Sequence, residues 1–390
     1  MSYRIAVIAG EVSGDVLGGD LIAALKEMTP QPIELIGVGG ESLQAQGLVS
    51  LFDYSELSIM GVTQVLAKLP KLLSRIRQTA DAIIRARPDV LVIIDSPDFT
   101  HRVAKRVKRA LPDLPVIDYV CPSVWAWKEY RAKNMLAYVD HVLAILPFEP
   151  EVMRRLGGPE TSFVGHRLTA DADILEVRSR RAAGEGRTEG APRRIVLLPG
   201  SRAGEIRALL PVMLETMAML RERGGAYEFI LPTVPRREAL LREMLAGVEN
   251  PPQLAVGHKD KWAAFAQADA ALAASGTVIL ELGLAGVPTV SIYKVDWLMR
   301  FFRNRLKIWS AALPNLIADY PIVPEYFDEM VRAGRLARWL ERLSADTIER
   351  RAALEGFETL WRNLSTLVAP GDASARIVLS CLEKKQAGLP

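Results

Sequence analysis

Cysteine is nearly absent from this chain of 390 residues: Cys121 and Cys381 are the two, far apart, with neither a CxxC pair nor metal-ligand spacing around them. That argues against a disulfide framework and points to a reducing compartment. Long apolar runs are missing as well. The longest stretch without a charge is twelve residues, Leu282 to Tyr293, too short to cross a bilayer. The run from Met1 to Ala9 is too short for a signal peptide and meets Glu11 almost at once, so it reads as the first β-strand of a protein that stays in the cytoplasm. An excess of one charge is also lacking. The net charge is +3, too weak to argue for nucleic acid but compatible with an anionic substrate or surface. No GxGxxG follows a predicted strand, which weakens a nicotinamide reading. What remains is a globular composition, 49% hydrophobic and 24% charged, at a length that suggests two domains.

Two segments in the second half share one layout of strand, small-residue turn and helix. In the first, apolar Ile195 to Leu198 runs into Pro199-Gly200-Ser201-Arg202 and then a helix start at Ala203 to Ile206. In the second, Ala270 to Ala274 runs into Ser275-Gly276-Thr277, a helix from Val278 and a further strand after Pro288. Small turn residues let backbone N–H groups approach a ligand, and the helix that follows aims its positive end at the same spot. Arg202 can fork onto a phosphate. Glu281, one turn into its helix, suits ribose hydroxyls. An ordinary βαβ unit with a capped helix explains either turn alone; the pair suggests a diphosphate held between two helix N-termini.

The first half alternates strands and helices in the same way. Strands are expected at Arg4 to Ala9, Ile33 to Val38, Asp89 to Ile94, Val116 to Val120 and Asp140 to Pro147. The first ends in a turn, Gly10 to Asp15, before a helix from Leu17 to Met28. Its acids would repel a pyrophosphate, so Glu11 and Ser13 are expected to line an acceptor pocket, with plain loop structure the alternative. The strand ending at Ile94 delivers Asp95 beyond its carboxyl end, where ligands bind in open α/β sheets. Asp98 is expected to cap the next helix, which leaves Asp95 free as a general base. Trp125 and Trp127 follow another strand end and form either core or the wall of an apolar or sugar site.

Two stretches have the composition of membrane-surface helices. From Met60 to Arg77, apolar positions that include Val62, Leu66 and Leu69 fall on one helical face with Lys68, Lys71, Arg75 and Arg77 among them. Packing of that face on the sheet is the competing reading, and Pro70 is expected to kink or break the helix. From Trp297 to Trp309, Arg300, Phe301, Phe302 and Arg303 belong to a basic, aromatic-rich segment without an acid, suited to an anionic interface or acyl chains. The span 168–194 is polar enough to read as a linker, and Asp171-Ala-Asp173 within it is not taken as a metal site.

Several motifs occur in one order: Ala9-Gly10-Glu11-Val-Ser13-Gly14-Asp15, Met60-Gly61, Ile94-Asp95-Ser-Pro97-Asp98-Phe99, Pro122-Ser123-Val124-Trp125-Ala126-Trp127, Leu146-Pro147-Phe148-Glu149, Phe163-Val164-Gly165-His166, Leu198-Pro199-Gly200-Ser201-Arg202, Ala274-Ser275-Gly276-Thr277 and Leu313-Pro314-Asn315-Leu316. Together they resemble the lipid-A-disaccharide synthase family over nearly the whole chain. The resemblance implies an α/β protein of two Rossmann-like domains (the GT-B glycosyltransferase fold) facing across a cleft, with C-terminal helices. The expected division is an acceptor-binding domain over 1–167, a polar linker over 168–194, a UDP-sugar domain over 195–345, and helices over 346–390 that return to the first domain or to a partner protomer. It further implies an inverting transfer from UDP-diacylglucosamine to a lipid acceptor at the cytoplasmic face of the inner membrane, with no metal or other cofactor and with a homodimer through the tail as an option. Asn315 is expected to order the donor loop. The rivals are a UDP-sugar 2-epimerase-like enzyme and a non-catalytic lipid- or nucleotide-binding protein.

Overall fold

The computed structural model describes residues 2–57, 62–184, 190–294 and 307–386, with the backbone alone at 62–69 and 386. The chain divides into two compact units, Met1–Arg167 with Thr366–Pro390, and Leu168–Ser365.

In the first unit β1 (Tyr3–Ala9), α1 (Val12–Met28), β2 (Ile33–Val38), α2 (Glu41–Ala45), α3 (Val62–Ala86), β3 (Val90–Ile94), α4 (Pro97–Ala110), β4 (Val116–Tyr119), α5 (Tyr130–Met135), β5 (His141–Ala144), α6 (Glu149–Arg155) and β6 (Glu160–Phe163) follow one another. The strands form a parallel sheet in the order β2-β1-β3-β4-β5-β6. β3 is buried along its whole length, as expected of a strand covered on both faces. Ala9 lies beside Ile94 in the register of β1 and β3, so the turns after those two strands are neighbours. The connections run to opposite sides at this pair, which makes it the switch point where α/β sheets bind ligands.

The second unit starts with a helix, α7 (Ala172–Ala182), and continues through β7 (Arg193–Leu198), α8 (Ala203–Glu222), β8 (Tyr227–Thr233), α9 (Pro235–Leu245), β9 (Gln253–Val256), α10 (His258–Gln267), β10 (Ala270–Ala274), α11 (Thr277–Leu284), β11 (Thr289–Tyr293), α12 (Leu313–Ala318), β12 (Glu325–Phe327), α13 (Ala333–Ser344) and α14 (Ile348–Leu364). Its sheet is parallel in the order β12-β11-β10-β7-β8-β9. The switch point falls between β7 and β10, with Leu198 beside Ala273. A last helix, α15 (Pro370–Gln386), packs on α1, where Ala375, Val378 and Leu382 join the core of the first unit with Leu17, Leu21 and Leu25. Burying Val378 and Leu382 stabilises the seat by roughly 1.5–3 kcal/mol each. Lys385 ties the end of α15 to the carbonyls of Pro88 and Asp89 at 3.1 and 3.0 Å.

Several sequence expectations change here. The polar span 168–194 is not a bare linker. α7 docks on the second unit, with Arg178 donating to the carbonyl of Leu284 at 3.1 Å and Arg181 to that of Ala268 at 2.6 Å. Charged residues that read as solvated linker in fact serve carbonyl groups at the ends of other elements. Within 346–390, α14 stays with the second unit and only the chain from Thr366 joins the first. Pro70 does not break its helix: α3 runs unbroken across it. Ile76, Ala80 and Ile83 pack the later turns into the core, which holds them helical despite the missing N–H. α1 starts at Val12, so Ser13, Gly14 and Asp15 are its first turn and not part of a loop.

Candidate functional site

In the first unit the turns after β1 and β3 bring carboxyl groups together. Asp95 (φ 53) and Ser96 (φ 45) both adopt the left-handed region, a strained pair for residues other than glycine. The Asp95 carboxylate accepts from Ser96 N–H at 2.7 Å, and its own N–H donates to the Tyr119 carbonyl at 3.1 Å. Burial raises the pKa of Glu11, the Asp95 carboxylate raises it further, and a hydrogen bond from Ser96 opposes both. Ser13 is exposed on the first turn of α1. Asp15, by contrast, is buried and consumed structurally: it accepts from the N–H groups of Gly40, Ser42 and Leu43 at the start of α2. Asp98 does not cap α4. Ser96 occupies the N-cap position without a side-chain bond, and Asp98 is exposed in the first turn. Trp125 is half-buried, edge-on to Phe148 at 5.2 Å, while Trp127 is 39% exposed.

In the second unit a cavity of about 590 Å³ lies at the carboxyl ends of β7, β8, β9 and β10. It is lined by Gly200, Ser201 and Arg202, by Ser275, Gly276 and Thr277, and by Thr233–Pro235, Gly257, His258 and Lys261. The N-termini of α8, α9, α10 and α11 therefore all open onto it, which gives it a positive field before any side chain is counted. Gly200 adopts φ 102, where any side chain is strained, and a Cβ there would also meet the Glu205 Cβ at 2.9 Å. Gly276 (φ 155, ψ −166) lies in a region essentially restricted to glycine. Arg202 is the N-cap residue of α8. Its side chain is 69% exposed and is held toward Glu205 at 2.7 Å.

Glu281 does not line the cavity directly; it pairs with Lys261 at 3.0 Å, both about one-fifth exposed. Asn315 is buried, and its amide is fully engaged. It donates to the Val323 carbonyl at 3.0 Å and to Glu325 at 2.9 Å, and accepts from Ile322 and Val323 N–H at 2.8 Å each. Glu325 in turn accepts from Ala311 and Ala312 N–H at 3.0 Å each and from the Ser310 hydroxyl. Ser275 reaches the Ala311 carbonyl at 3.5 Å, so Asn315 orders the segment that lies against the Ser275 turn.

Gly257, His258, Lys261 and Thr233–Pro235 were not foreseen as site residues. The available signals were a glycine between the strand at 253–256 and the helix after it, and a proline at a helix start. Asp171 caps α7, accepting from Asp173 and Ile174 N–H at 3.1 and 3.4 Å, and Asp173 faces His258 at 2.6 Å. Met60, Trp297, Arg300, Phe301, Phe302 and Arg303 lie outside the described residues, as do the side chains of Val62, Leu66 and Leu69. Among the described residues no helix is long and apolar enough to cross a membrane.

Comparison with known proteins accords with this layout. Residues 5–360 match the family described as lipid-A-disaccharide synthetase. A lipid-A-disaccharide synthase of Nitrobacter winogradskyi is 44% identical over 392 residues, covering 99% of this chain and 97% of its own. One of Rhodopseudomonas palustris (strain HaA2) is 46% identical over 387 residues, covering 98% and 97%. Among solved structures, the glycotransferase of kitacinnamycin is similar at a TM-score of 0.62 with 15% identity, covering all of both chains. The UDP-GlcNAc 2-epimerase of Neisseria meningitidis bound to UDP-GlcNAc is similar at 0.55 with 13% identity, covering 97% of this chain and all of that one. At such identities these two likenesses concern the fold alone.

Proposed function

This chain belongs to the lipid-A-disaccharide synthase family, and we propose on that premise how its residues divide the work of one glycosyl transfer. The enzyme is a glycosyltransferase that forms the lipid A disaccharide. The donor is UDP-2,3-diacylglucosamine and the acceptor 2,3-diacylglucosamine 1-phosphate; the product is the β-1,6-linked disaccharide 1-phosphate, and UDP leaves. The observation that carries the donor assignment is the cavity at the β7/β10 switch point, onto which four helix N-termini open with Arg202 and Lys261. Such a site suits a diphosphate. Similar folds in proteins solved with UDP-GlcNAc support a nucleotide-sugar there.

The acceptor 6-hydroxyl attacks the anomeric carbon of the donor with inversion. Asp95 takes the hydroxyl proton, with Glu11 beside it. Arg202 and the N–H groups of Ser275–Thr277 take up the negative charge that grows on the departing diphosphate. Glu281, held by Lys261, receives the ribose hydroxyls. Ser13, Asp98 and Trp125 line the acceptor side; Ser201 completes the donor turn and Asn315 shapes it. The acyl chains and the anionic surface of the inner membrane's cytoplasmic face are met by the stretches at 60–77 and 297–309, on the strength of their sequence. A homodimer would form by exchange of α15 onto α1 of a second copy.

The test is UDP release by purified protein in detergent and EDTA, with UDP-2,3-diacylglucosamine alone and with the monosaccharide 1-phosphate added. Acceptor-dependent release with a disaccharide product is expected. Release that ignores the acceptor would return the chain to epimerase-like chemistry, and no release with any diacyl acceptor would leave a binding protein.

A further inference from the structure

The first unit holds a buried acid that this reaction does not consume. Glu149 opens α6 and is 2% exposed. Its Oε1 accepts the indole N–H of Trp125 at 3.1 Å and its Oε2 the backbone N–H of Leu146 at 3.0 Å. Burial pushes its pKa up to about 8; the N–H groups of Leu146, Trp125 and Ile145 oppose the rise, and Asp118 adds to it. The ionisable groups that face it are Cys121, whose thiol is itself pushed up by burial and then by Glu149, and Asp118, which stands 3.1 Å from His101. Among the described residues no cation is one of the groups that shift it. A carboxyl group buried in this way destabilises a fold relative to a packed apolar residue unless its hydrogen bonds serve a purpose.

One of those bonds, from Trp125, reaches a strained loop. The chain leaves β4 through Val120 at φ 83 and leaves the tryptophan motif through Lys128 at φ 55. A β-branched residue in the left-handed region persists only where its surroundings over-determine it. Between the two, Val124 and Ala126 are buried, Trp125 meets Phe148 edge-on, and the Lys128 ammonium lies 4.0 Å above the exposed Trp127 ring. The loop starts one residue after Tyr119, whose carbonyl holds the N–H of Asp95. Its shape and the placement of the proposed base are thus coupled through one strand end.

We infer that Glu149 is a positioning residue: by accepting the Trp125 indole N–H it fixes the Val120–Lys128 loop beside the Asp95 turn, and so sets the seat of the lipid acceptor. The inference rests on the functional reading above for the identity of the acceptor, but not for the hydrogen bond.

Glu149→Leu, which removes the acceptor, Trp125→Phe and the double variant are compared with wild type at saturating donor and varied 2,3-diacylglucosamine 1-phosphate; Glu149→Gln, whose carbonyl oxygen can still accept the indole N–H, serves the titration alone. Each single variant should raise the acceptor KM by about tenfold and leave the donor KM within about twofold, and the double should be no worse than the poorer single, because one bond is removed either way. In parallel, the tryptophan emission lost in Trp125→Phe should titrate with a midpoint near pH 8 in wild type and stay flat in Glu149→Gln. Unchanged acceptor KM in a folded Glu149→Leu, effects that multiply in the double, or Trp125 emission that titrates alike in wild type and Glu149→Gln would each overturn the assignment. If Glu149→Leu does not fold, Trp125→Phe decides alone: an unchanged acceptor KM there overturns the role. If wild type shows no acceptor-dependent release, the functional reading has failed, and the emission titration still judges the hydrogen bond.

Discussion

In the first unit the chain leaves β1 and β3 into turns that carry carboxyl groups, Glu11 and Asp95. In the second it leaves β7 and β10 into turns of glycine, hydroxyl groups and Arg202. Both pairs sit at the switch point of a six-stranded parallel sheet, so the architecture offers the same crevice twice. The backbone is handled differently at each. Asp95 and Ser96 bear positive φ angles without being glycine, whereas Gly200 and Gly276 take theirs as glycine. Such strain costs of order 1–3 kcal/mol per residue. It is borne at the turn whose Asp95 carboxylate is the proposed base, and avoided at the turns proposed to bring bare N–H groups to a diphosphate.

The largest loss should come from Asp95→Asn, which removes the proposed base and leaves the shape. kcat should fall about 10²–10⁴-fold, measured by UDP release, with melting temperature near wild type. Near-full turnover would remove Asp95 from the chemistry. Arg202→Ala should follow, with a loss of about 10²–10³-fold that falls mainly on kcat if the guanidinium acts on the leaving group as proposed. A loss confined to donor KM would mean that Arg202 binds substrate and transition state alike. Gly276→Ala should weaken UDP binding by about tenfold and destabilise the second unit by roughly 1–3 kcal/mol, read by calorimetry and thermal melting.

A pH-dependent effect separates a buried acid from a surface one. Glu149 ionises in the unfolded chain near its ordinary 4.5 but in the fold at about 8. Between those values the folded state holds the extra proton, so its stabilising contribution is complete below 4.5 and declines as pH rises to about 8, by roughly 1.4 kcal/mol per pH unit. Glu149→Gln should flatten that slope in denaturant titrations. Smallest of all, Asp171→Ala should cost about 1 kcal/mol as a lost helix cap and leave activity in EDTA unchanged.

Strand, turn and helix at Ala270–Leu284 and at Ile195–Ile206 were legible because buried parallel strands leave apolar runs that end in small residues. The family resemblance named the same two turns. Lys261 and His258 were not legible: they stand at the start of a helix whose preceding strand, Gln253–Val256, is short and only partly buried, so the strand–glycine–helix pattern there is faint. α7 was hidden by its charges, since only the fold reveals that Arg178 and Arg181 find carbonyl partners. Asp98 looked like a cap because caps favour aspartate; the left-handed Ser96 displaced it by starting the helix at Pro97. The buried state of Glu149 depends on Trp125, twenty-four residues away in sequence, a contact that no local pattern encodes.

The most direct test of the division between an acidic acceptor turn and a cationic, amide-rich donor turn is calorimetric titration of UDP into wild type, Asp95→Asn, Arg202→Ala and Gly276→Ala. UDP should bind Asp95→Asn as tightly as wild type, and the Arg202 and Gly276 variants at least about tenfold more weakly. Equal weakening in all three, or an undiminished affinity in Arg202→Ala and Gly276→Ala, would contradict it.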